Sequence, residues 1–195
     1  MGRPRQSEGL PGGKQRIKDA FWEVCRATSL EKVTVKAVCE RAAINKTTFY
    51  YHYPCLEELL AEVESECIPT EMPHAVMDEI RAGNAVVSAF GMIENDPERR
   101  DKVSYLLSSR GDPLFARRLK NAMRAQWCEA LGRDYAALSG REKLIVELVM
   151  GASVSVLAAR GDGMELDFDE FAEVASEAVV PLLRKIIDEG ETARA

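Results

Sequence analysis

Apolar residues recur at helical spacing along almost the whole chain. Ile17, Ala20, Phe21, Val24 and Cys25 fall at i, i+3, i+4, i+7 and i+8, a stripe that predicts an amphipathic helix beginning at Lys14. Thr34 reads as the N-cap of a helix over 35–42 with Val35, Val38 and Ala42 inward. Ala43-Ile44-Asn45 makes a turn, and a short helix over 46–53 follows, with Phe49 and Tyr53 one turn apart and facing the core. Leu56, Leu59, Leu60 and Val63 give a fourth amphipathic helix that ends before Pro69.

Only helical patterns follow. Pro73 opens a helix over 73–82, another covers 84–94, and Pro97 sits in the first turn of one over 97–109. Asp112-Pro113 reads as an N-cap with proline at the first helical position, opening a helix to about Leu131. The last two helices cover 140–160 and 168–189. The first is apolar nearly all round past Leu144, which predicts burial on more than one side, and Gly151, Ala152, Ser153 and Ser155 permit close helix approach. The second lines Phe171, Ala175, Val179, Leu182 and Ile186 along one side and kinks at Pro181. With no alternating strand pattern and no internal repeat, the predicted fold class is all-α.

Composition narrows the class. A chain of 195 residues with 46% hydrophobic and 30% charged residues is ordinary for a globular protein. No uninterrupted apolar run reaches membrane-spanning length, and residues 1–13 lack the apolar core of a signal peptide, so a cytoplasmic protein with no membrane partner is expected. Cys25, Cys39, Cys55, Cys67 and Cys128 are spaced neither as a metal clip nor as a redox pair, and no metal site is expected. Cys25 and Cys39 fall on apolar helix faces as small hydrophobes. The net charge of −6 hides an asymmetry: residues 1–56 carry ten Lys/Arg against five acids, and the remainder 16 against 27. The first part can approach phosphates while the second is held off them.

The chemistry concentrates in residues 34–53. Two short helices joined by a tight turn, the second apolar on one side and rich in donors on the other, suit a major groove. Lys46, Thr47 and Tyr50 share the donor face. Lys46 can reach a guanine edge or a phosphate. The hydroxyls of Thr47 and Thr48, and the polar ends of Tyr50, Tyr51 and His52, can contact the backbone. Thr34 caps the preceding helix, whose N-terminal amides also attract phosphate, and Lys36 projects from that helix. Each residue alone on an exposed helix face is commonly just solvated. The case rests on their order and spacing together.

At this point a resemblance is evident. TVKAVCERAAINKTTFYYHY is similar, almost position by position, to the TetR family of bacterial transcriptional regulators: threonine, branched apolar, basic residue, then E-R-A, a turn, and K-x-T-aromatic/aliphatic-Y-Y-H-F. Residues 17–60 resemble the family's DNA-binding domain. The resemblance implies a basic arm over 1–13 reaching the minor groove through Arg3 and Arg5, a helix-turn-helix DNA-binding domain over 14–66, and a helical sensor and dimerisation domain over 67–195. Three positions depart from the pattern. Ala43 stands where the turn usually has glycine, Thr47 replaces the glycine of K-G-T, and Leu56 stands where a phosphate-binding lysine is common. A strain of roughly 1 kcal/mol is expected at Ala43.

The resemblance further implies a homodimer on a palindromic double-stranded operator, released by a small-molecule effector, and so most simply a repressor. Leu148, Ala152, Val156, Phe171, Ala175, Val179, Leu182 and Ile186 are the expected dimer surface, since two adjacent helices with broad apolar surface need a partner. Met77, Phe90, Met92, Tyr105, Phe115, Met123 and Trp127 are the candidates for an effector pocket. No enzyme is expected and no cofactor. The two histidines are His52 and His74, and the acidic residues 162–170 lack the order of a calcium loop, so capping by Asp167 or Asp169 explains them better.

Overall fold

A computed structural model describes residues 12–68, 72–82 and 96–192, and all regular structure among them is helical. The chain divides into two compact units, Met1–Ser65 and Glu66–Ala195.

The first unit is built by α1 (Gly13–Ala27), α2 (Val35–Arg41), α3 (Lys46–His52) and most of α4 (Leu56–Cys67). Its core joins Ile17 and Phe21 of α1, Val38 of α2, Phe49 of α3, and Leu59 and Val63 of α4, all essentially inaccessible. Burial of each such side chain is worth about 1.5–3 kcal/mol. One inward position differs from the stripe expected for α1. Trp22 is buried, edge-on to Phe21 at 5.4 Å between ring centroids, whereas Val24 is half-buried. An indole covers a wider arc of the helix than an aliphatic side chain, so it reaches the core from the flank. Polar contacts brace the unit from outside. Arg41 pairs with Glu23, and Lys14 and Lys18 both reach Glu62. Arg16 donates to the Ala42 carbonyl at 2.7 Å, satisfying an acceptor that the end of α2 would leave open.

The second unit contains α5 (Met72–Ala82), α6 (Pro97–Leu107), α7 (Phe115–Leu131), α8 (Gly140–Gly161), α9 (Phe168–Ala178) and α10 (Val180–Thr192). The helix expected over 84–94 lies outside the described residues. α8 packs on α6 and α7, α5 packs on α7, and α10 meets α5, α8 and α9. α8 opens with a capping box between Ser139 and Glu142, and the buried Glu142 also receives both guanidinium nitrogens of Arg133. Burial pushes the Glu142 carboxyl up, but the Arg133 and Ser139 hydrogen bonds outweigh it and hold the group below its ordinary range.

Two expectations are corrected here. α7 starts at Phe115 rather than at Pro113: the Asp112 carboxylate takes the Leu114 amide at 2.8 Å, folding 112–114 into a turn. The segment 168–189 is two helices rather than one kinked helix. Pro181 offers no amide to continue the ladder, and the Val179 carbonyl takes Leu182 and Leu183 instead, both at 3.1 Å. α8 packs on α6, α7 and α10, while Leu144 and Leu148 on its remaining face are 67% and 64% exposed. Within the chain a close helix approach falls at Gly161, where a Cβ would collide with the Ser104 carbonyl of α6; Gly151 has nothing within 4 Å of that position, so its room for a close approach is not used inside the chain. α8 is also, by length and composition, apolar enough to cross a membrane, with 28% of that window buried. Its Glu147 is nonetheless held in ion pairs by Lys120 and Arg124 of α7.

Candidate nucleic-acid interface

The turn between α2 and α3 sets the geometry of the site. Ala43 adopts φ 52°, the left-handed conformation. The Ile44 amide then reaches back to the Cys39 carbonyl (3.0 Å) and the Ala43 amide to that of Glu40 (3.3 Å), a Schellman end that stops α2 within one residue. Asn45 caps the next helix, its Oδ1 accepting from the Thr48 amide at 2.8 Å. Phe49 is fully buried and Tyr53 nearly so, which fixes the rotation of α3 about its axis. Lys46, Thr47, Tyr50 and Tyr51 must therefore face outward. Tyr50 is 53% exposed and Tyr51 83%, an unusual amount of aromatic surface to leave in water.

Charge is distributed unevenly around this face. Lys14, Lys18, Lys36 and Arg41 each have an acidic neighbour, and Lys46 has none among the described residues. It also sits in the first turn of α3, where the helix dipole repels a cation. Lys36 is exposed on α2, 3.8 Å from Glu40.

The hydroxyls divide by what their protons do. Thr34 caps α2 by accepting from the Ala37 amide at 3.2 Å, so its own O–H stays free to donate to a phosphate. Thr48 instead donates to Asn45 Oδ1 at 3.0 Å. That bond uses its proton inside the turn and ties the first turn of α3 to its cap. Thr47 is exposed. His52 is half-buried, its ring edge-on to Tyr51 at 5.0 Å. A Cβ on Gly13 would lie 2.8 Å from its Nε2, so α1 begins directly beside the last residue of α3. Arg3 and Arg5 lie outside the described residues.

Asn45 and Glu62 escaped the sequence reading. An N-cap signal could have singled out the first. The second depends on which lysines of α1 face α4. The hydrogen bond from Lys14 at 2.6 Å holds the Glu62 carboxyl below its ordinary range. Cys39 is buried behind the turn, and that burial pushes its thiol up against a smaller pull from Lys46. It is packing rather than a reactive thiolate.

In the second unit, Met77, Phe115, Met123 and Trp127 are all buried and Tyr105 is half-buried, while Phe90 and Met92 lie outside the described residues. The Trp127 indole N–H is enclosed without an acceptor. Of the expected dimer surface, Leu148 and Ala152 are exposed, Val156, Phe171, Val179 and Leu182 are half-buried, and Ala175 and Ile186 are buried within the chain. No protein-family model matches this chain, no curated protein matches it, and no solved structure matches it.

Proposed function

We propose that the chain is a sequence-specific DNA-binding regulator of transcription whose residues 34–53 form a helix-turn-helix, with α3 as the reading helix. The observation that carries this is the outer face of α3. An unpaired Lys46 at a helix end that disfavours it, and two tyrosines that touch Phe49 and His52 by one edge yet leave most of their surface in water, suit a polyanion with a groove. In this reading Lys46 and Thr47 reach base edges, Tyr50, Tyr51 and the Thr34 hydroxyl grip phosphates, and Lys36 flanks the groove. Thr48 and Asn45 hold the helix at its angle. Arg3 and Arg5, which lie outside the described residues, reach the minor groove in this reading.

The unit Glu66–Ala195 is then the sensor and dimerisation part. Two copies present two reading helices to successive major grooves, about 34 Å apart, on a palindrome. A small-molecule effector that favours one sensor conformation lowers operator affinity by a population shift, which makes the protein a repressor. The test is selection of genomic fragments by the purified full chain at moderate salt. Recovery of a palindrome is the expected result. Uniform recovery with a steep salt dependence would reduce the reading to a non-specific phosphate binder.

A further inference from the structure

We propose that Lys14 is a further phosphate contact held back by Glu62, so that this one carboxylate lowers the affinity of the first unit for DNA. This rests on the DNA-binding reading above and adds a cation to it, together with the group that restrains that cation. Lys14 lies in the first turn of α1, and its place is set by the end of α3. A Cβ on the preceding Gly13 would lie 2.8 Å from His52 Nε2, and the Lys14 ammonium stands 5.2 Å from the centre of the Tyr53 ring. His52 is the last residue of α3 and Tyr53 its C-cap. The cation therefore sits beside the end of the reading helix, next to a residue whose imidazole can itself meet the DNA backbone.

Its charge is taken up inside the chain. Lys14 Nζ meets Glu62 Oε2 at 2.6 Å, and Lys18 Nζ meets Oε1 of the same carboxylate at 3.5 Å. The lysines are one turn apart on α1, and Glu62 belongs to α4. The hydrogen bond from Lys14 holds the Glu62 carboxyl below its ordinary range, so the group is charged at neutral pH.

The two lysines are not equivalent. The Lys18 side chain is 13% exposed, whereas that of Lys14 is 49% exposed. An ion pair this open to water contributes modestly to the fold, and a phosphate offers the same ammonium a second anion within the field of a polyanion. When Lys14 turns to a phosphate, Lys18 still faces Glu62. The exchange strands no charge, because one carboxylate began with two cations. Lys18 is too enclosed to make the same turn.

The test is titration of a short random-sequence DNA duplex with the full chain at several salt concentrations. Glu62→Gln is expected to bind about two- to fivefold more tightly, the range set by release of a half-exposed ion pair. A gain of this kind does not arise from misfolding. Lys14→Gln is expected to bind more weakly, with the salt slope reduced by about one. In the Lys14→Gln chain, Glu62→Gln is expected to change nothing, since the cation it would release is gone. Unchanged or weaker binding by Glu62→Gln would overturn the proposal. So would an equal gain with and without Lys14, which would mean that the lost negative charge acts at a distance. Lys46→Ala separates this proposal from the reading beneath it. If that variant binds less while the changes at 14 and 62 alter nothing, Lys14 is no contact and the DNA-binding reading stands. If the wild-type chain does not bind the duplex at any salt, both fail.

Discussion

The ends of α2, α7 and α8 use the same device with different residues. After α7 the left-handed position is Gly132 (φ 61°), and after α8 it is Gly163 (φ 104°). After α2 it is Ala43, whose Cβ crowds its own carbonyl at φ 52°. Ala43→Gly is therefore expected to stabilise the first unit by about 0.5–1 kcal/mol, the relieved strain less the added unfolded-state entropy. A rise in urea midpoint at constant m-value would register it, and a fall would show that the turn is not strained. Lys46 offers the opposite contrast between fold and function. Lys46→Ala removes a cation from the positive end of α3, so stability should hold or rise by a few tenths of a kcal/mol. If α3 reads DNA as proposed, affinity for the selected site should meanwhile fall at least about tenfold, with the salt slope reduced by about one. Loss of stability in step with loss of binding would remove Lys46 from the interface. At this scale the sequence showed the Thr34 cap and the left-handed turn, because both depend on neighbours in the chain. It did not show that the Thr48 proton is used by Asn45, since two competing acceptors cannot be ranked from composition.

Helix by helix, periodicity placed α1–α4 within a residue or two, because each pairs one apolar stripe with one core. It failed where a proline had two possible uses. Pro113 can start a helix or sit in a turn, and the Asp112 carboxylate decides for the turn by capping Leu114. Pro181 can bend a helix or divide it, and the freed Val179 carbonyl finds two new donors once the helix divides. Small residues leave a related ambiguity. Glycine, alanine and serine at 151–155 mark a place where something can approach closely, but the sequence does not say from which side. The approach within the chain is at Gly161 instead. There Gly161→Ala must push α6 from α8 against the Ser104 carbonyl, at an expected cost of about 1–3 kcal/mol. An unchanged thermal midpoint would mean that the two helices are not held at that separation.

Across the whole molecule, the carboxylates that brace each unit set how it responds to acid. Glu62 in the first unit is held low first by its hydrogen bond from Lys14, and Glu147 in the second by its hydrogen bond from Lys120. Glu142 is held low despite burial, through Arg133 and Ser139. A carboxyl whose folded value lies below its unfolded one, about 4.3 for glutamate, binds fewer protons in the folded state. The stability it gives is fully present above that unfolded value and is lost as pH falls through the folded one. Both units should therefore weaken in acid. Glu142 provides the sharpest test because it is the most enclosed of the three, at 3% exposure. Glu142→Gln keeps an acceptor for the Ser139 amide but leaves Arg133 without its counter-charge, so about 2–4 kcal/mol should be lost at pH 7. Once acid has protonated the wild-type carboxyl, both chains carry a neutral group at that position and the difference should shrink toward zero. Denaturant midpoints of the two chains from pH 7 downward would show this convergence. A gap that stayed constant with pH would mean that Glu142 acts through shape and capping alone, and that its charge does not anchor α8 to the turn before it.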